Sequence, residues 1–145
     1  MVMKKIIFIL FIASISKNYA QNNEIQNTIE QFFVAFHAKD SVKLKEICSN
    51  KIILQSIEEQ VKGAKISEVT ASKFYKSIAT IPNNVRFNEK ILSYTIQVDG
   101  AMAHAWTPYE FYVNDKLSHQ GVNAFTLFKE NDIWKIIFII DTRRK

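Results

Sequence analysis

The chain contains one cysteine, two prolines, three glycines and three histidines, and each scarcity removes a class of explanation. A single cysteine, Cys48, cannot form an internal disulfide, so the fold must stand on its hydrophobic core even in an oxidising compartment. Cys48 follows an apolar stretch in a helix-like segment and reads as a buried thiol. One cysteine and scattered histidines provide no metal-ligand spacing, so no metal is expected. No glycine-rich phosphate loop is present either, and no cofactor is implied. With so little glycine and proline there is no flexible linker, no low-complexity stretch and no internal repeat. Net charge is also small once its source is located. The formal net charge is +5, but residues 1–20 hold Lys4, Lys5 and Lys17 and no acidic residue, leaving +2 for residues 21–145. No basic stripe with interleaved aromatics appears, so no nucleic-acid partner is expected. Arg143, Arg144 and Lys145 read as a solvated basic end.

No apolar run is long enough to cross a bilayer as a helix, which takes about 20 residues. The run from Ile6 to Ile15 follows Lys4 and Lys5 and precedes a short polar stretch ending in Ala20. That three-part pattern predicts a secretory signal peptide over residues 1–20, cut before Gln21. The expected product is one exported domain over 21–145, periplasmic or secreted, with no membrane contact after the cut. Its 125 residues suffice for a hydrophobic core.

Ile25, Ile29, Phe32 and Phe36 recur at helical spacing, with Phe33 widening the stripe and Asn23 and Gln26 resembling a capping pair. His37, near the end of this helix, suits its dipole and reads as structural. Asp40 or Ser41 is expected to cap a second helix that carries Leu44, Ile47 and Cys48 inward. Asp40 is more readily a cap than a catalytic acid. Residues 51–57 read as a strand and 66–69 as a short edge strand. A third helix, capped by Thr70 or Ser72, carries Phe74, Tyr75 and Ile78 and stops before Pro82. From Arg86 the period becomes two, with Asp99-Gly100 marking a hairpin and three further strands to Thr142. Helices followed by an antiparallel run argue for an α+β fold with the helices on one face of the sheet.

If Asn114-Asp115 is a two-residue turn, Trp106 falls opposite Asn123, His104 opposite Phe125 and Glu110 opposite His119. Alternation along the strands then places His104, Trp106, Glu110, Tyr112, His119, Asn123 and Phe125 on one face, a composition that suits a pocket wall better than a packed core. Glu110 beside His119 would raise the imidazole's basicity and fix its tautomer, making a candidate general base; an ordinary cross-strand ion pair is the structural alternative. Trp106 and Asn123 could bond each other or a ligand. His104 lies beside Phe125 as a rim or core residue. Tyr112 is favoured over Tyr109, which faces the other way. An even-length turn between Phe128 and Ile133 would add Trp134, Ile136, Phe138 and Ile140 to the same face. Asp141 then lies outside, paired with Arg143, and enters the pocket only if the last strand bulges. The opposite face, with Ala103, Ala105 and Val122, would suit a flat dimer contact. A bulge would reverse a strand's assignment.

The segments IEQFFVAFHAKDSVKLKEIC, VDGAMAHAWTPYEFYV and FTLFKENDIWKIIFIIDTRR, spread over nearly all of residues 21–145, resemble the nuclear transport factor 2-like (SnoaL-like) superfamily, and specifically its small exported bacterial members. The resemblance implies a conical barrel with three N-terminal helices packed on a curved, mainly antiparallel sheet. It also implies a pocket between them and frequent homodimerisation. Relatives include ketosteroid isomerase, scytalone dehydratase, limonene epoxide hydrolase and polyketide cyclases, beside many members without catalysis, so the fold does not choose a function. The isomerase's Tyr and paired acids cannot be mapped here, nor is the hydrolase's Asp-Arg-Asp set matched, although Asp141 and Arg143 lie close in sequence. The expectation is a homodimeric exported domain holding a small, largely apolar molecule. One alternative is a proton-transfer enzyme of isomerase, dehydratase or cyclase type built on His119 and Glu110. The other is a purely structural dimerisation module.

Overall fold

The apolar stripe of the first helix decides how everything else packs. The computed structural model describes residues 2–145, with side chains from Ala20 onward. The signal peptide expected over residues 1–20 therefore lies outside the described residues apart from its helical backbone and Ala20. Helix α1 spans Val2–His37. Ile25 and Ile29 are fully buried, with Phe32 and Phe33 nearly so. The helix does not start at Asn23, and Gln26 donates to Glu30 one turn on rather than closing a cap. Among the described residues no helix is long and apolar enough to cross a membrane.

Asp40 is the cap of α2 (Ser41–Ile47): its carboxylate accepts from the backbone N–H groups of Val42 and Lys43. Thr70 caps α3 (Ala71–Ala79), which buries Tyr75 and Ile78. Between them, β1 (Cys48–Gln60) and β2 (Gly63–Val69) form a hairpin longer than the strands expected there. The single strand read after Arg86 is two, β3 (Phe87–Ile91) and β4 (Thr95–Asp99), both paired to β5 (Met102–Val113). Leu92 at the break donates its backbone N–H to Pro108, and a proline carbonyl is all that residue can offer the ladder. Strands β6 (Lys116–Glu130) and β7 (Ile133–Arg143) complete the sheet. Its order is β2-β1-β7-β6-β5-β3, antiparallel except for the β1–β7 pair. The helices cover its inner face, giving the expected α+β architecture.

Both long hairpins turn in two residues, Asn114-Asp115 and Asn131-Asp132, all four at positive φ. The even turns expected from the sequence are therefore present. Parity is nevertheless broken inside the strands. Val113 pairs with Lys116 and Tyr112 with Leu117, but Phe111 pairs with His119, leaving Ser118 as an extra residue. In β7, Leu127 pairs with Ile136 and Thr126 with Phe138, leaving Ile137 as the extra. Each bulge turns the rest of its strand over relative to its neighbour.

Candidate functional site

The Ser118 bulge separates the residues that the simple register would have brought together. Inward from β5 point Ala103, Ala105, Thr107 and Tyr109, all buried; inward from β6 point Gly121, Asn123, Phe125 and Leu127, likewise buried. His119, Asn123 and Phe125 thus lie on the inner face as expected. His104, Trp106, Glu110 and Tyr112 do not. Glu110 pairs with Gln120 rather than His119, takes a hydrogen bond from Tyr112 at 2.8 Å and sits 3.7 Å from Lys90. Trp106 pairs with Ala124 and is 48% exposed, and His104 pairs with Thr126. Ala103 and Ala105, expected on an outer contact face, are instead core. Tyr109, not Tyr112, is the inward tyrosine. One bulged residue accounts for all of these corrections.

The Ile137 bulge works in the opposite sense, turning Ile139, Asp141 and Arg143 inward where an unbulged strand would turn Phe138 and Ile140. Parallel pairing to β1 sets Leu54 beside Ile139 and Ser56 beside Asp141. The result is a cavity of about 490 Å³ between helices and sheet. On the helix side Phe32, Phe36 and Phe74 lie nearly parallel. On the sheet side Phe87 stacks on Phe111, and Phe111 on His119 with ring centroids 4.8 Å apart. The two sets meet where Phe36 abuts Phe87 edge-on at 4.9 Å.

One end of this aromatic chamber is polar. Arg143 grips Asp141 through Nε at 2.7 Å, and its Nη2 reaches Ser56 at 3.0 Å. Ser56 donates to Asp141 at 2.5 Å, and the Tyr109 hydroxyl donates to the Thr142 carbonyl at 2.9 Å. Burial alone would lower the Arg143 guanidinium, but the hydrogen bonds to Asp141 and that carboxylate's charge raise it on balance. Burial lowers His119, Arg143 adding to the effect and Asp141 opposing it. Burial likewise raises Tyr109, with the charges of Asp141 and Glu89 adding.

Glu89, on β3, is the group that sequence reasoning passed over. Its Oε1 accepts from Asn123 Nδ2 at 2.6 Å, and its backbone N–H donates to His37 Nε2 at 2.9 Å. His37 is thus a hydrogen-bond acceptor for the strand, held neutral by burial, rather than a cation at the helix end. Burial pushes the Glu89 carboxyl up to about 7; the Asn123 hydrogen bond and Arg143 oppose the rise and Asp141 adds to it. The signal was present in the alternation: Lys90 outward requires Glu89 inward. Cys48 is buried, its thiol raised by burial to about 11 against the opposing pull of Tyr75 and Lys135, and it lies outside the cavity lining. No cluster among the described residues has the make-up of a metal site.

No family model and no curated protein matches the chain. Solved structures do. An NTF2-like protein from Cytophaga hutchinsonii superposes with a TM-score of 0.70 at 13% identity, over 86% of this chain and 98% of that one. An NTF2-like protein with a cystatin-like fold from Novosphingobium aromaticivorans gives 0.69 at 13% identity, over 91% and 87%. An NTF2-like family protein from Streptomyces avermitilis, provisionally described as a dehydratase, gives 0.68 at 11% identity, over 88% and 99%. The chain therefore has the nuclear transport factor 2-like fold, a cone of helices on a curved sheet.

Proposed function

We propose that this protein is an exported domain that binds a small, largely apolar molecule in the chamber between helices and sheet. The observation that carries the reading is the cavity itself: about 490 Å³, walled by aromatic rings, with a short polar end. Pockets of that size and make-up are the ordinary form of a small-molecule site. Thermal unfolding with naphthalene, indole and decanol tests it. A ligand at a hundredfold excess over its Kd adds about 2.7 kcal/mol, roughly 5–10 °C for a chain this size. No rise with any of the three would refute it.

We also propose a homodimer through the outer face of β5 and β6, where Met102, Trp106 and Phe128 are all substantially exposed. Trp106→Glu should then halve the mass measured by equilibrium sedimentation, and a monomeric wild type would end the idea.

A second reading, proton-transfer catalysis of isomerase, dehydratase or cyclase type, is favoured by one observation. Glu89, at about 7, lies where a general acid–base working at neutral pH should lie. The proposed base is then Glu89 rather than His119 with Glu110. Exchange of the methyl protons of 2-acetylnaphthalene with deuterated water, followed by proton NMR, should exceed the buffer rate and fall to it in Glu89→Gln.

A further inference from the structure

The chamber's internal hydrogen bonding leaves two groups partly open: His119, whose Nδ1 meets Ser118 while no hydrogen bond reaches Nε2 among the described residues, and Glu89. Arg143 is engaged with Asp141 and Ser56, Ser56 with Asp141, and Tyr109 with the Thr142 carbonyl. Glu89 differs. Oε1 takes the Asn123 amide, while no hydrogen bond reaches Oε2 among the described residues. No fully buried side-chain oxygen among those residues lacks a partner, so Oε2 retains accessible surface, and Glu89 is a residue of the cavity wall.

The walls restrict what could meet it. Three near-parallel rings on the helix side face a stack of two rings and an imidazole on the sheet side. Flat aromatic surfaces offer such walls offset-stacked and edge-on contacts that an aliphatic chain cannot make. The charged groups around Glu89 decide the sign of the ligand. From β7 come Asp141 and Arg143, already paired; from β5 comes Tyr109, and from β6 His119; from α1 comes His37, neutral and accepting from Glu89's own N–H. The guanidinium among these groups, Arg143, is already charge-balanced by Asp141, so an anionic ligand would meet no uncompensated positive charge there.

We propose that the chamber takes an uncharged, flat aromatic molecule bearing a carbonyl or comparable acceptor, and that protonated Glu89 donates to it from Oε2, so that binding takes up a proton. This rests on the cavity reading above and adds to it the ligand's class and its proton linkage. Loading is then favoured in mildly acidic medium and release in alkaline medium.

The test is calorimetric titration of the full chain from pH 6 to pH 9 with four probes on one ring system: naphthalene, 2-acetylnaphthalene, 2-naphthoate and 2-(aminomethyl)naphthalene. With Glu89 at about 7, the ketone should bind on the order of 100-fold more weakly at pH 9 than at pH 6. Repetition in buffers of different ionisation enthalpy should show net proton uptake. Naphthalene should bind without pH dependence, and Glu89→Gln should flatten the ketone's profile. The wild-type profile and proton count decide the matter even if that variant fails to fold. Equal, pH-independent binding of ketone and naphthalene overturns the Glu89 anchor and leaves the cavity reading standing. An amine that binds best and tightens as pH rises overturns it in favour of a carboxylate–cation site. Preferred binding of the naphthoate also overturns it. If none of the four binds, both readings fall together.

Discussion

Replacing Glu89 by Gln should stabilise the protein by an amount that builds up between pH 4.5 and about pH 7 and stays constant above. The carboxyl moves from an ordinary 4.5 to about 7 on folding because burial disfavours its charge. The folded state therefore holds a proton between these values that the unfolded state has released. Stability must fall as pH rises through that window and level off above it. A shift of about 2.5 units at 1.36 kcal/mol per unit amounts to about 3 kcal/mol of destabilisation at pH 8, absent below pH 4.5. Glutamine keeps an oxygen for the Asn123 amide and carries no charge, so it removes the cost without orphaning that donor. Urea unfolding of both proteins at several values between pH 4.5 and pH 8.5 measures it. The variant's advantage should grow by about 3 kcal/mol across the range, roughly 6–12 °C if read as Tm. Parallel stability curves, with no growth in the difference, would show that Glu89 is not a desolvated carboxylate in the folded state.

Three further outcomes are expected. A Cβ at Gly121 would lie 1.7 Å from the Thr142 carbonyl oxygen, a backbone atom with nowhere to go, so Gly121→Ala should cost about 3 kcal/mol or more in urea unfolding; a loss under 1 kcal/mol would contradict the close approach of β6 and β7. His37 must stay neutral to accept from Glu89 N–H, and burial lowers it, so its contribution to stability is present above pH 6.5 and lost as pH falls below. Wild type should accordingly lose more stability than His37→Gln between pH 7 and pH 5. Cys48, with its thiol at about 11, holds about one thiolate in a thousand at pH 8 and should react with a disulfide reagent only after denaturation; fast reaction in native buffer would place it at the surface.

Much of the architecture was legible in the chain because it depends on local chemistry. The stripe from Ile25 to Phe36 has one buried face whatever it packs against, and Asp40 and Thr70 cap helices through their own backbone neighbours. Asn114-Asp115 tolerates the positive φ that a two-residue hairpin requires, so that turn was legible; Asn131-Asp132 has the same chemistry, but the sequence alone leaves the loop between Phe128 and Ile133 open between even and odd lengths. The presence of a pocket wall on β6, with His119, Asn123 and Phe125, follows from alternation within one strand.

What alternation cannot reach is the relation between strands once a residue is inserted. Ser118 and Ile137 carry no local signature of a bulge: a serine and an isoleucine sit as well in a regular ladder. They are left out of the pairing because the curved sheet must keep Phe125, Leu127 and Trp134 buried beneath the helices while its far ends twist around the cavity. That requirement is global, summed over contacts from α1 to β7. It exchanged Glu110 and Trp106 for Tyr109 and Phe111, and it brought Asp141 and Arg143 inside. The amino-acid sequence by itself determined the elements, their turns and the polar and aromatic residues available. The tertiary packing decided which of them share the chamber, because side-chain direction reverses with each extra residue.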